Sequence, residues 1–221
     1  MKATSKPPQY QIGIQNKGTS STPIYAACEK YLCSLSCLGP RFADVGGGRG
    51  DFTRRVRDLF DEACLIDFDP GNIASTESRS ADLNSQWPAR DDEFDVTCAL
   101  EVIEHVENPR HFLREILRVT KPDGHILITT PNQVSIASKL CFLIRSQHQH
   151  FQDSCYPAHI TPMLPVDFQR IARELNQENF EIRFTNSGRI PGTRTKFQTV
   201  LPFAKGRLFS DNLLFSLRVK K

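Results

Sequence analysis

Short apolar runs alternate along this chain with stretches whose apolar residues recur every three or four positions, which predicts strands alternating with amphipathic helices. The run RFADV at 41–45 stops abruptly in Gly46, Gly47, Gly48 and Gly50, and 53–60 then takes helical spacing. A second run at 63–68 ends in acids, a weaker one spans 78–83, and 94–100 (FDVTCAL) is almost continuously apolar. Residues 126–130, 180–184 and 213–219 complete the predicted strands. Strand, helix, strand at these separations makes βαβ units, whose right-handed crossovers build a parallel sheet, and near-continuous apolar strands are those covered on both faces.

The predicted helices have recognisable ends. Ser21 and Thr22 offer an N-cap before Pro23, and Ile24, Ala27, Cys28, Tyr31, Leu32 and Leu35 form an apolar stripe up to Leu38, where Gly39-Pro40 stops the helix. Asn108-Pro109 opens another, with Phe112, Leu113, Ile116, Leu117 and Val119 inward, and Lys121-Pro122-Asp123-Gly124 reads as a turn. Asp69 is placed to cap a helix beginning at Pro70. Two further helices are read over 134–144 and 166–175, and 187–206 reads as a long connection. Residues 1–20 lack an apolar period and are expected to be a flexible arm, leaving 21–221 as one domain. Within it, the polar, aromatic and His-rich stretch around 147–162 lies where strand ends should be, so 133–165 is expected to be a substrate lid.

Composition narrows the class. No run is long and apolar enough for a membrane span or a secretory leader, so a cytoplasmic protein is expected. Seven cysteines form no CxxC pair and are read as reduced, with Cys64 and Cys98 as small core residues. The net charge of +3 is unevenly spread: 183–221 holds nine Lys or Arg and one acid, Asp211, a basic end suited to an acidic or phosphate-bearing partner or to simple solvation.

The glycine spacing, Asp44-x-Gly46-x-Gly48-x-Gly50, fits neither the G-x-G-x-x-G dinucleotide loop nor a P-loop, which needs a Lys-Ser or Lys-Thr after the glycines. It resembles the first motif of class I S-adenosylmethionine (SAM)-dependent methyltransferases. Asp67, Asp82-Leu83, the stretch 93–109 (EFDVTCALEVIEHVENP) and the stretch 113–132 (LREILRVTKPDGHILITTPN) follow in that family's order. The resemblance implies a single-domain Rossmann-like α/β fold, with a mostly parallel seven-stranded sheet, an antiparallel last strand and helices on both faces. It also implies SAM bound by Asp44, Gly46, Gly48, Gly50, Asp67, Asp82 and Leu83, with Asp67 on the ribose hydroxyls and Asp82-Leu83 on the adenine edge.

Glu101, Glu104 and His105 follow the fourth strand at spacings that suit a metal site or an acid-base cluster, with His159 a fourth member from the lid. Similar turns with a later His occur in metal-dependent O-methyltransferases, which implies a divalent ion held by Glu101, Glu104, His105 and His159. The same two histidines are the candidate catalytic pair, while His111, His125, His148 and His150 have no comparable company. The expected acceptor is a hydroxyl on a small-molecule or glycan-like substrate. Two alternatives stay open: an RNA 2′-O-methyltransferase, for which the basic end speaks but no RNA-binding module does, and a non-catalytic SAM-fold subunit.

Overall fold

The computed structural model describes residues 20–193 and 195–220. The expected arm thus lies outside the described residues, apart from Ser20. The helices are α1 (Thr22–Cys33), α2 (Asp51–Val56), α3 (Pro109–Val119), α4 (Ile136–Arg145), α5 (Pro165–Glu174) and α6 (Phe197–Val200). The strands are β1 (Arg41–Val45), β2 (Glu62–Asp67), β3 (Glu77–Ser80), β4 (Phe94–Leu100), β5 (Thr120–Pro131), β6 (Phe180–Phe184) and β7 (Asn212–Arg218). They form one sheet in the order β3-β2-β1-β4-β5-β7-β6. The pairs from β3 to β5 are parallel, and β7 runs antiparallel to both β5 and β6.

Successive strand residues point to opposite faces, and the two faces bury different sets. Phe42, Val96, Cys98, Leu100 and Leu127 pack with Ile24, Cys28 and Leu32 of α1 and with Phe52 and Val56 of α2. Their neighbours Ala43, Val45, Ala99, Ile126 and Ile128 pack on the other side with Phe112 and Ile116 of α3 and Phe168 and Ile171 of α5. Each helix stripe therefore matches one parity of the strands, which holds the carboxyl ends of β1, β2 and β4 on one edge. Burial raises the thiol of Cys64 to about 12, as befits a core residue.

Local departures from the expected elements have local causes. α1 ends at Cys33, five residues early, because the Ser34 hydroxyl and amide both bond the Tyr31 carbonyl and turn the chain. The Lys121–Gly124 turn is an excursion within β5, where pairing jumps from Thr120 opposite Phe94 to His125 opposite Val96. No helix follows Pro70. Residues 70–76 instead cross the glycine loop, with Gly71 N donating to the Gly48 carbonyl at 2.9 Å, so the expected helix is absent. The 187–206 connection contains α6 and an Arg189–Lys196 bridge.

Candidate active site

The glycine loop leaves β1 under tight restraint. Gly46 N donates to the Ile66 carbonyl at 2.7 Å, and Gly46, Gly48 and Gly50 all have positive φ, at 71°, 55° and 75°. A Cβ on Gly46 would lie 2.5 Å from Val102 Cγ2, so the turn after β4 is packed directly on the first glycine. Gly47 has a different constraint: its Cβ would meet the Asp44 carboxyl at 2.5 Å and Leu65 at 2.7 Å. That carboxylate lies beneath the loop, almost wholly buried, and accepts the Thr53 hydroxyl at 2.6 Å. Desolvation raises it to about 6, with the Thr53 bond opposing.

Asp67 ends β2 on the same edge. Its Oδ2 accepts Gly48 N at 2.9 Å and its Oδ1 accepts Asp69 N at 3.0 Å, so the carboxylate already faces the loop with a lone pair on each oxygen to spare. Its carbonyl accepts Ala81 N at 2.8 Å, which brings the β3 end and the exposed Asp82 alongside. Asp82 Oδ1 accepts Asn84 N, while Leu83 is half-buried against the main core. The loop, the Asp67 carboxylate and the Asp82-Leu83 pair are thus joined by backbone hydrogen bonds into one rim.

The second half of the site follows β4. Glu101 has φ 57°, donates its N–H to Thr129, and accepts Asn212 Nδ2 at 2.7 Å on Oε2. Residues 103–105 then form a single 3-10 turn that turns Glu104 fully inward, where Oε2 accepts the Thr130 hydroxyl at 3.0 Å. Burial drives both carboxyls up, Glu101 further raised by Glu104 and Glu104 reaching about 8. Oε1 of each is buried without a hydrogen-bond partner.

Residues 158–161 meet this turn through their backbone. Ile160 N and Thr161 N both donate to the Glu104 carbonyl, at 3.0 and 3.1 Å, and the Thr161 hydroxyl donates to the Val106 carbonyl at 2.8 Å. His159 is thereby set 4.8 Å from His105, ring centre to ring centre. Nδ1 of His105 lies 2.8 Å from the Ala158 carbonyl, and Nδ1 of His159 lies 2.6 Å from the His150 carbonyl, so each Nδ1 carries a proton; the Glu101 backbone also bonds the His105 ring. Burial lowers both rings, which keeps them neutral near pH 7.

Ligand atoms of Glu104, His105 and His159 all lie within 4.8 Å of one another. Glu101 stands outside that group, its carboxylate tied to Asn212. His150 stands beside the pair: its ring is half-buried, lowered to about 4 by desolvation, and leaves Nε2 unpartnered. Its only sequence signal is position: it lies nine residues before His159 in the lid.

A family model described as a methyltransferase domain matches residues 29–182. The chain belongs to the methyltransferase domain family. This methyltransferase is 31% identical over 123 residues to a ubiquinone biosynthesis O-methyltransferase of Rhodopseudomonas palustris, covering 49% of this chain and 48% of that protein. It is 26% identical over 160 residues to the mitochondrial ubiquinone biosynthesis O-methyltransferase of Schizosaccharomyces pombe, covering 64% of this chain and 53% of that one. It spans about half the length of these relatives. Among solved structures, a SAM-dependent methyltransferase of Archaeoglobus fulgidus superposes with a TM-score of 0.61 at 18% identity, covering 95% of this chain and 99% of that one. The likeness to that structure is one of fold, and the fold is the mixed seven-stranded sheet described above. No helix among the described residues is long and apolar enough to cross a membrane.

Proposed function

We propose that this methyltransferase methylates a hydroxyl of a small-molecule acceptor seated between the glycine loop and the lid, with His105 and His159 as the proton-accepting groups. The observation that carries this is the pair of imidazoles, ring centres 4.8 Å apart, each fixed through Nδ1 by a backbone carbonyl and set beside the buried Glu104. SAM supplies an electrophilic methyl on a sulfonium. The chain's task is to align the nucleophile, exclude water and take the hydroxyl proton. Gly46, Gly48 and Gly50 let the cofactor approach the backbone, Asp44 braces that loop through Thr53, Asp67 takes the ribose hydroxyls, and Asp82-Leu83 meets the adenine edge. The ubiquinone-pathway relatives, themselves O-methyltransferases by name, favour oxygen over nitrogen as the acceptor atom.

A second reading of the same cluster is a divalent-cation site, in which the Nε2 atoms would be ligands in place of bases. Glu104, His105 and His159 are the ligands this geometry favours, because each histidine donates its remote N–H to a carbonyl, the usual outer support of a ligating imidazole, and Glu104 Oε1 lacks a partner. Glu101 lies outside this group, with Oε2 on Asn212 and Oε1 without a partner. A bound ion would lower the pKa of a coordinated hydroxyl, and a vicinal diol would suit it. Thermal stability in the presence of Mg²⁺ or Mn²⁺ tests this apart from activity: the ion should raise the Tm of the wild type but not of Glu104→Gln. An equal response of the two proteins, or of neither, would reduce Glu104 to a structural residue. Activity is tested by transfer of labelled methyl from SAM to catechols and sugars, with His105→Ala and His159→Ala as comparisons.

A further inference from the structure

α4 is built the wrong way round for a helix that only roofs a site. Its sequence, IASKLCFLIR, buries Ala137 and Ser138 and turns its large apolar side chains outward: Leu143 is 80% and Ile144 79% exposed, with Leu140 and Phe142 also open. A second segment, 200–208, does the same with Val200, Leu201, Phe203 (80% exposed) and Leu208. Of the eleven large hydrophobic side chains that are exposed among the described residues, eight belong to these two segments, so they are concentrated rather than scattered singly along the chain.

Charge distinguishes what would cover it. Residues 132–152 contain no acid, and Lys139 and Arg145 flank the apolar positions of α4. Residues 186–210 contain five Lys or Arg and again no acid. Apolar segments that carry Lys and Arg but no acid, with Asp153 and Asp211 just beyond them, complement an anionic interface whose interior is hydrocarbon, with long basic side chains reaching the headgroups while their stems lie on the apolar layer. Both segments leave the sheet at one corner, where the Asn132 side chain donates to the Arg207 and Ser210 carbonyls at 2.7 and 2.8 Å. The same corner carries Asn212, bonded to Glu101, so a surface covering the patch would lie beside the candidate active site.

We propose that α4 and residues 200–208 form a docking surface for an anionic lipid membrane. The surface binds from one side, with the apolar residues entering the headgroup boundary and Lys139, Arg145, Lys205 and Arg207 at the phosphates, and it does not depend on the identity of the acceptor. Cosedimentation of the intact protein with vesicles of phosphatidylcholine alone, or mixed with phosphatidylglycerol, tests it at low and at physiological salt. Binding should require phosphatidylglycerol, weaken as salt rises, and fall about tenfold or more in the double variant Leu143→Ser/Ile144→Ser and again in Phe203→Ser. Because these side chains are about four-fifths exposed, SAM affinity measured by calorimetry should be unchanged in the variants, which separates a lost surface from a lost fold. Wild-type protein that stays in the supernatant with every vesicle, or variants that sediment as well as the wild type, would overturn the proposal. So would a wild-type dimer that the double variant dissolves without any vesicle binding, which would assign the patch to a second copy.

Discussion

Gly48 donates its backbone N–H to Asp67 Oδ2 at 2.9 Å, so the glycine loop of one strand and the acid at the tip of the next are already joined before any ligand is considered. The bond holds the carboxylate at the loop and leaves lone pairs pointing away from it. Asp67→Ala should therefore weaken SAM binding by well over tenfold, about 1.4 kcal/mol per tenfold, while the domain stays folded, since Asp67 lies at a strand end. Calorimetry with SAM and a melting curve check the two halves together, and unchanged affinity would remove Asp67 from the cofactor site.

Gly47 has a steric role under the loop. Its added Cβ would collide with the Asp44 carboxyl and Leu65, both backed by the core, so Gly47→Ala should cost about 1–3 kcal/mol of stability. A denaturation midpoint equal to that of the wild type would mean the loop has slack that the packing does not suggest.

Much of this was legible beforehand, for physical reasons that can be named. β1, β2, β4, β5 and α3 announce themselves because apolar period and caps are local, as with the Asn108 side chain accepting His111 N. What was not legible depends on residues far apart in sequence. The helix expected after Pro70 fails because 70–76 is held across the glycine loop instead, where Gly71 has no room for a Cβ against the Arg49 backbone. Glu101 was one of the four expected ligands, and nothing local announces that its Oε2 accepts from Asn212, 111 residues on. The His150 carbonyl that holds His159 Nδ1 is a backbone group and leaves no mark in the sequence.

Glu93 is a structural carboxylate with a pH signature. It is buried at the start of β4, held by the Arg79 guanidinium at 2.7 Å and by Arg90 N and Arg41, and these hold it down at about 2. A depressed carboxyl adds stability above its unfolded value and loses it as pH falls toward the folded one. Glu93→Gln should thus cost about 3 kcal/mol at pH 7, with the difference shrinking between about pH 4.5 and pH 2. Melting curves across that range check it, and a pH-independent gap would assign the loss to packing.

Asp44 has the opposite sign. Its carboxyl is raised to about 6, so the folded state is favoured by protonation and loses that advantage as pH rises from about 4 to 6. Thr53→Val removes the one hydroxyl that supports the charged form, and should lower SAM affinity more at pH 8 than at pH 5.5. Titration calorimetry at the two pH values decides it, and an equal loss at both would mean that Thr53 acts through packing alone.

The central claim is that His105 and His159 serve proton removal from an oxygen acceptor. The most direct measurement is mass spectrometry of the product formed from isotopically methyl-labelled SAM with a panel of catechols and vicinal diols, run beside His105→Ala and His159→Ala. The account predicts label on oxygen with wild-type enzyme and a loss of about a hundredfold or more in kcat for each variant, with SAM affinity retained. Label on nitrogen, or histidine variants as fast as the wild type, would contradict it.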